Sequence, residues 1–257
     1  ELFGLQGELS MRKIKEKLTG EKQSVAYKPE SLPVRPPVLC PGCPHRGVFY
    51  VLNKLKLNVM GDIGCYTLGA LAPLNAIDAC VCMGASVGMA HGMEKARGEE
   101  AAAKTVAVIG DSTFVHSGIT GLIDIIYNRG TSTVILLDNS ITGMTGHQHN
   151  PATGKDIRGM EAPQLDFVKL FEAMGVKNIR VVDPFNLKAF EAAVKEETAR
   201  REVSVIIAKR PCALLDKTPK KPYVIDSEKC RRCGMCMKIG CPAIQRSGDD
   251  IIIDSAL

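Results

Sequence analysis

Two apolar runs decide the fold: TVAVIGDS (residues 105–112) and STVILLDN (residues 132–139). Each is short, rich in Val and Ile, and apolar without alternation, which predicts strands buried on both faces of a parallel sheet. Each closes on a polar side chain, Asp111 or Asn139, and then enters a loop rich in Gly and Thr. Working outward, LNVMGDIG (57–64), IRVVDP (179–184) and VSVIIAKRP (203–211) carry the same strand signal. Helical stretches separate them: GASVGMAHGMEKARGEE (84–100), GITGLIDIIYNRG (118–130), APQLDFVKLFEAMG (162–175) and NLKAFEAAVKEETARR (186–201). Gly130 and Gly175 fall where helix C-caps belong. Strand–helix alternation predicts an α/β fold with a doubly wound parallel sheet and ligands at the carboxyl ends of the strands.

The 257 residues divide into three parts by composition. Residues 1–37 hold a basic amphipathic helix and a Pro-rich linker, SLPVRPP, residues 38–215 hold the α/β pattern, and residues 216–257 hold a charged linker and a cysteine segment. That last segment is too short for a core of its own and calls for a cross-linking cofactor. A net charge of +5 gives no reason to expect nucleic acid, and no apolar run of 18 residues predicts a membrane span. The first 20 residues read as a charged helix, not an export signal. Ten cysteines, several in C-x2-C units, therefore fit a reduced cytoplasmic compartment and metal or iron–sulfur ligation. With no initiator Met, the chain is expected to be a piece of a longer polypeptide.

The strand-end pair suits a phosphate-bound Mg²⁺, which takes octahedral oxygen ligands. Asp111 offers an anionic oxygen, Asn139 a neutral one and the Ile141 backbone carbonyl a third. Gly110 permits a tight turn, and Ser112 and Thr113 can donate to phosphate from the start of the next segment. No G-x-G-x-x-G follows a strand, so a dinucleotide site is not indicated. Taken alone, the pair is equally consistent with polar capping of two strands. Cys230, Cys233, Cys236 and Cys241 form C-x2-C-x2-C-x4-C-P, a spacing that suits a 4Fe-4S cluster better than zinc, so residues 216–257 are expected to be a linker and a partial ferredoxin-like 4Fe-4S module. Cys80 and Cys82 lie in an apolar run and are expected in the core.

GDS, then Asn139 after 27 intervening residues from Asp111, resembles the cofactor motif of thiamine-diphosphate enzymes. DNSITGMTGHQHNP (138–151), LCPGCPHRGVF (39–49), GDIGCYTLG (61–69) and MGASVGMAHGMEKA (83–96) resemble the 2-oxoacid:ferredoxin oxidoreductase family. Within it the CPGCPHRG form and the terminal cysteine run most resemble the large (alpha) subunits of the indolepyruvate branch, over nearly all of residues 30–257. The resemblance implies thiamine diphosphate, Mg²⁺ and 4Fe-4S clusters. It implies oxidative decarboxylation of aryl pyruvates such as indolepyruvate to acyl-CoA and CO₂, with electrons passing to ferredoxin. A smaller beta subunit, coenzyme A and a hetero-oligomeric assembly come with it.

It further implies that the Glu activating the aminopyrimidine belongs to another domain, which leaves His116 as the one catalytic candidate here. His45 and Thr142 join the cofactor set, and His147 and Gln148 lie in a loop where substrate or coenzyme A would pass. Cys40, Cys43, Cys65 and Cys212 match the ligands of a proximal 4Fe-4S cluster; the alternative is that they are small buried hydrophobes. Two other functions stay open: a pyruvate-type oxidoreductase subunit, and a non-catalytic electron-transfer scaffold. The basic residues Lys217, Lys220, Lys221, Lys229, Arg231, Arg232 and Lys238 would steer an acidic ferredoxin. In two-cluster ferredoxins the Cys before Pro ligates the other cluster, so Cys241 is expected to need a second cysteine run beyond Leu257.

Overall fold

A computed structural model describes residues 3, 4, 6–22, 36–218, 221 and 223–257. They fall into two compact units, 1–36 and 37–257. In the first, helix α1 (Met11–Thr19) begins where the Ser10 hydroxyl accepts from Lys13 N–H at 3.4 Å and ends at Gly20 with φ 73°. None of its residues is buried. Residues 31–35 of the Pro-rich linker, and Lys220 of the basic run, lie outside the described residues.

The second unit opens with α2 (His45–Leu55), β1 (Asn58–Met60), α3 (Ala85–Arg97), α4 (Glu99–Ala102) and β2 (Thr105–Gly110). It continues through α5 (Asp111–Thr113), a π-helical turn (Phe114–Gly118), α6 (Ile119–Tyr127), β3 (Thr133–Asp138) and α7 (Phe167–Met174). Then come β4 (Asn178–Val182), α8 (Leu187–Thr198) and β5 (Ser204–Lys209), followed by an antiparallel hairpin of β6 (Ile244–Ser247) and β7 (Asp250–Ile253). All five strand stretches inferred from sequence form one parallel sheet, in the order β1-β2-β3-β5-β4.

Burial on both faces explains the unbroken apolar runs. Val106, Val108, Ile135, Leu137 and Ile206 face one core with Phe49 of α2 and Phe190 of α8. Their neighbours Ala107, Ile109, Val134, Leu136 and Ile207 face the other, with Val87 of α3, Leu122 of α6 and Phe171 of α7. The sheet is thus doubly wound, with side chains alternating between two cores at the strand period. Truncating one of the fully buried phenylalanines, Phe49 or Phe190, costs about 3–5 kcal/mol by the usual cavity cost. Among the described residues no helix is long and apolar enough to cross a membrane.

Two expectations are corrected. Gly130 is not the left-handed cap of α6. Arg129 takes that conformation (φ 51°), while Gly130 N–H bonds Ile125 O at 2.8 Å one position further on. Glycine is required there because a Cβ would sit 2.8 Å from the His91 ring. Cys80 and Cys82 are exposed, because the chain between Ala79 and α3 leaves the sheet before reaching either core.

Candidate functional site

Parallel strands deliver all their carboxyl ends to one edge, and the polar residues singled out above meet there. One hollow is lined by His45, Tyr66, Gly110, Asp111, Ser112, Thr113, Asn139, Ile141 and Thr142, with Met83 and Met144 at its walls. Asp111 begins α5, directly off β2, and is 3% exposed. Its Oδ1 accepts from Ser112 N–H at 2.7 Å, while the buried Oδ2 has no hydrogen-bond partner. Burial pushes its carboxyl up to about 7, and Asp138 nearby adds to the rise. The Ser112, Asn150 and Ser140 groups oppose it without satisfying Oδ2.

An orphaned buried carboxylate oxygen costs free energy as it stands and is satisfied by a cation. Asn139 follows β3, and its Oδ1 lies 3.4 Å from Ile141 N–H. Its Nδ2 lies 3.5 Å from His45 Nε2. Burial lowers His45 to about 4, so the imidazole is neutral near pH 7 and carries a single N–H. The Thr113 hydroxyl is held inward, 3.3 Å from Ile63 O. Its backbone, at the start of α5, is then the part able to meet a phosphate.

Gly110 carries a correction. Its φ of −80° is open to any residue, so no special turn needs it. A Cβ there would lie 2.6 Å from Tyr66 Cε1, and close packing is the reason for glycine. His116 is exposed, in the π-helical turn between the buried Phe114 and Gly118, and lines neither this hollow nor the one beside it. A helical turn that buries Phe114 and Gly118 points the residue midway between them outward.

The neighbouring hollow, of about 240 Å³, is lined by Cys40, Cys43, Cys65 and Cys212 together with His147. It shares His45, Cys65, Asn139, Gly143 and Met144 with the first. Cys212 N–H donates to Asn139 O at 2.9 Å, extending the pairing of β5 with β3 past the sheet edge. Burial pushes the Cys43 thiol up to about 12, with Cys40 and Cys212 adding to the rise. Cys65 rises for the same reasons. The four thiols therefore share one hollow, although among the described residues no three Cys, His, Asp or Glu side chains stand in a metal-binding arrangement.

His147 (φ 64°) sits in a loop closed by the Thr142–Gln148 bridge and reaches within 4.0 Å of the Cys212 sulfur. At the far end of the chain Cys233 and Cys236 are exposed, and Cys230 and Cys241 are half-buried.

Three further residues build this edge and were not singled out from sequence. Asp62 is fully buried and accepts from Ile63, Gly84 and Ser86 N–H, fixing the start of α3. Arg46 donates to Leu39 O, to Cys40 O at 3.2 Å and to Gly240 O, tying the first cysteine turn to the last segment. Tyr66 packs under Gly110. Asp62 and Arg46 stand inside GDIG and CPHRG, and charged residues flanked by small or apolar ones were the available signal.

A doubly wound sheet with a carboxylate, an amide and a helix start around one strand-end cradle defines a phosphate-cofactor-binding α/β domain. Residues 62–208 match the family described as thiamine pyrophosphate enzyme, C-terminal TPP binding domain, and the chain belongs to that family. It is 40% identical over 237 residues to the indolepyruvate oxidoreductase subunit IorA of Pyrococcus horikoshii, covering 84% of this chain and 36% of that one. To the subunit of the same name from Archaeoglobus fulgidus it is 37% identical over 254 residues, covering 94% of this chain and 40% of that one. The chain thus spans no more than about two-fifths of these relatives. The 2-oxoglutarate:ferredoxin oxidoreductase of Magnetococcus marinus has a similar fold, with a TM-score of 0.60 at 16% identity, over 75% of this chain and 74% of that one.

Proposed function

We propose that this chain is the diphosphate-binding part of a thiamine-diphosphate-dependent oxidoreductase that decarboxylates aryl pyruvates such as indolepyruvate. The likeness to IorA subunits supports the substrate class. The observation that carries the site assignment is the buried, unpartnered Oδ2 of Asp111 beside Asn139 at the carboxyl edge of the sheet.

Thiamine diphosphate, when bound, supplies the carbon centre that takes up the charge left when CO₂ departs. The protein's residues do the rest. Asp111, Asn139 and the Ile141 carbonyl would hold Mg²⁺, and the cation would keep Asp111 ionised despite its burial. His45, kept neutral, offers one N–H to an anionic oxygen without a competing charge. Gly110, Ser112, Thr113 and Thr142 line the same cradle. Met83 and Met144 form its apolar wall.

Electrons would leave through a 4Fe-4S cluster on Cys40, Cys43, Cys65 and Cys212. The shared wall of the two hollows supports this route. Cys230, Cys233, Cys236 and Cys241 would carry a second iron–sulfur stage toward ferredoxin. A beta subunit, coenzyme A and a cytoplasmic setting belong to the same proposal.

The direct test is calorimetry of Mg²⁺–thiamine diphosphate with the wild type and Asp111→Asn, followed by turnover with a panel of 2-oxoacids on the full complex. Undiminished cofactor binding by Asp111→Asn would remove the site assignment. Turnover of pyruvate in preference to aryl pyruvates would remove the substrate class.

A further inference from the structure

We infer that Tyr66 is a positioning residue that sets the place of the Asp111 turn. This rests on the diphosphate assignment above and adds a residue that neither the motif nor the family match singles out.

Three parts of the site refer to this one side chain. Its ring occupies the space a Cβ would need at Gly110, where the Tyr66 Cε1 contact would be 2.6 Å, and at Gly64, where Cδ1 would be 2.9 Å away. Its edge meets the His45 ring at a centroid distance of 5.9 Å and an interplanar angle of 79°. Its hydroxyl donates to Ile63 O at 2.9 Å and lies 3.4 Å from the Thr113 hydroxyl. Tyr66 therefore braces the loop after β1 against α5, with Asp111 fixed between.

Packing alone would be met by Phe. A phenol 5% exposed is costly to bury without partners, so a hydroxyl that donates to the same Ile63 carbonyl as the Thr113 hydroxyl has a geometric task. The ring acts as a spacer, and the hydroxyl shares the Ile63 carbonyl with Thr113, which locks the register of the two segments.

The test uses the full-length protein, calorimetric titration with Mg²⁺–thiamine diphosphate, and the melting temperature of each variant. Tyr66→Phe keeps the spacer and loses the lock, so affinity should fall about three- to tenfold, one hydrogen bond's worth, with a melting temperature lowered by no more than about a few degrees. Gly110→Ala drives a Cβ into the ring and should weaken binding about a hundredfold, and adding Tyr66→Leu should recover about tenfold, because the two residues are in contact.

Tyr66→Phe binding within twofold of wild type would overturn the inference, as would a double variant no better than Gly110→Ala. The Phe variant decides the matter even where the leucine variant fails to fold. If Asp111→Asn binds as well as wild type, the diphosphate assignment fails and this inference with it. If Asp111→Asn loses binding and the Tyr66 variants keep it, only the role of Tyr66 falls.

Discussion

Cys40, Cys43, Cys65 and Cys212 come from distant parts of the chain, yet the sheet gathers them into one hollow. Cys230, Cys233, Cys236 and Cys241 lie close in sequence and carry the stronger motif, yet two of them are exposed and two half-buried. The contrast separates two ways of making a site. A set assembled by topology is held by the core whether or not a ligand is present. A set assembled by local spacing leans more heavily on its ligand, although here the β6–β7 hairpin and the Arg46–Gly240 bond also hold the segment, so binding and ordering become coupled.

The cofactor cradle belongs with the first kind, and the largest expected effect breaks or sharpens that claim. Asp111→Ala should weaken Mg²⁺–thiamine diphosphate binding by several kcal/mol, about a hundredfold or more, since the anionic ligand is lost. The melting temperature without cofactor should not fall, because the substitution also removes a buried carboxylate oxygen that has no partner. A preformed cradle loses affinity without losing its fold. Parallel losses of affinity and melting temperature would contradict it.

The next effect is a pH dependence. Asp111 sits near 3.8 ordinarily and is raised to about 7 in the fold. Between these values the folded state binds more protons than the unfolded one, so stability is fullest below the lower value and falls as pH rises through the upper. In metal-free protein the loss should be roughly 1–3 kcal/mol. Denaturant titrations at pH 5 and pH 8 should show this loss in wild type and not in Asp111→Asn. Equal slopes in the two proteins would assign the dependence to other groups.

Iron reconstitution sharpens the contrast between the cysteine sets. Hydrogen exchange in residues 223–257 should slow by about tenfold or more on cluster assembly, against about twofold or less in β2 and β3. Equal protection in both places would put the two sets in one class. The smallest effect concerns the basic residues beside the terminal set. Lys229→Ala with Lys238→Ala should slow the reduction of an acidic ferredoxin by about two- to threefold at low salt and not at high salt, as expected for steering. A deficit that persists unchanged at high salt would mean a direct contact instead.

Much of this was legible beforehand because it depends on local pattern. Unbroken Val- and Ile-rich runs mark strands buried twice over, and a parallel sheet must bring their ends together, so Asp111 and Asn139 could be paired at a distance. Tyr66, Asp62 and Arg46 were not legible, because each acts on a loop that only the folded sheet places beside it. Gly110 and Gly130 show the same limit. The sequence marks both positions, but the reason is a neighbouring ring and not a backbone turn. Cys80 and Cys82 are exposed despite their apolar surroundings in sequence, because the chain there has already left the sheet. His116 lies outside both hollows for a related reason, since nearness in sequence to Asp111 does not survive a helical rotation.

The backbone bond from Cys212 to Asn139, 2.9 Å long, has a consequence for engineering. One strand end serves the proposed metal site through a side chain and the cysteine hollow through its carbonyl. A substitution that displaces either loop is expected to disturb both. A graft of the proposed electron exit onto another thiamine domain would have to carry the ends of β3 and β5 together.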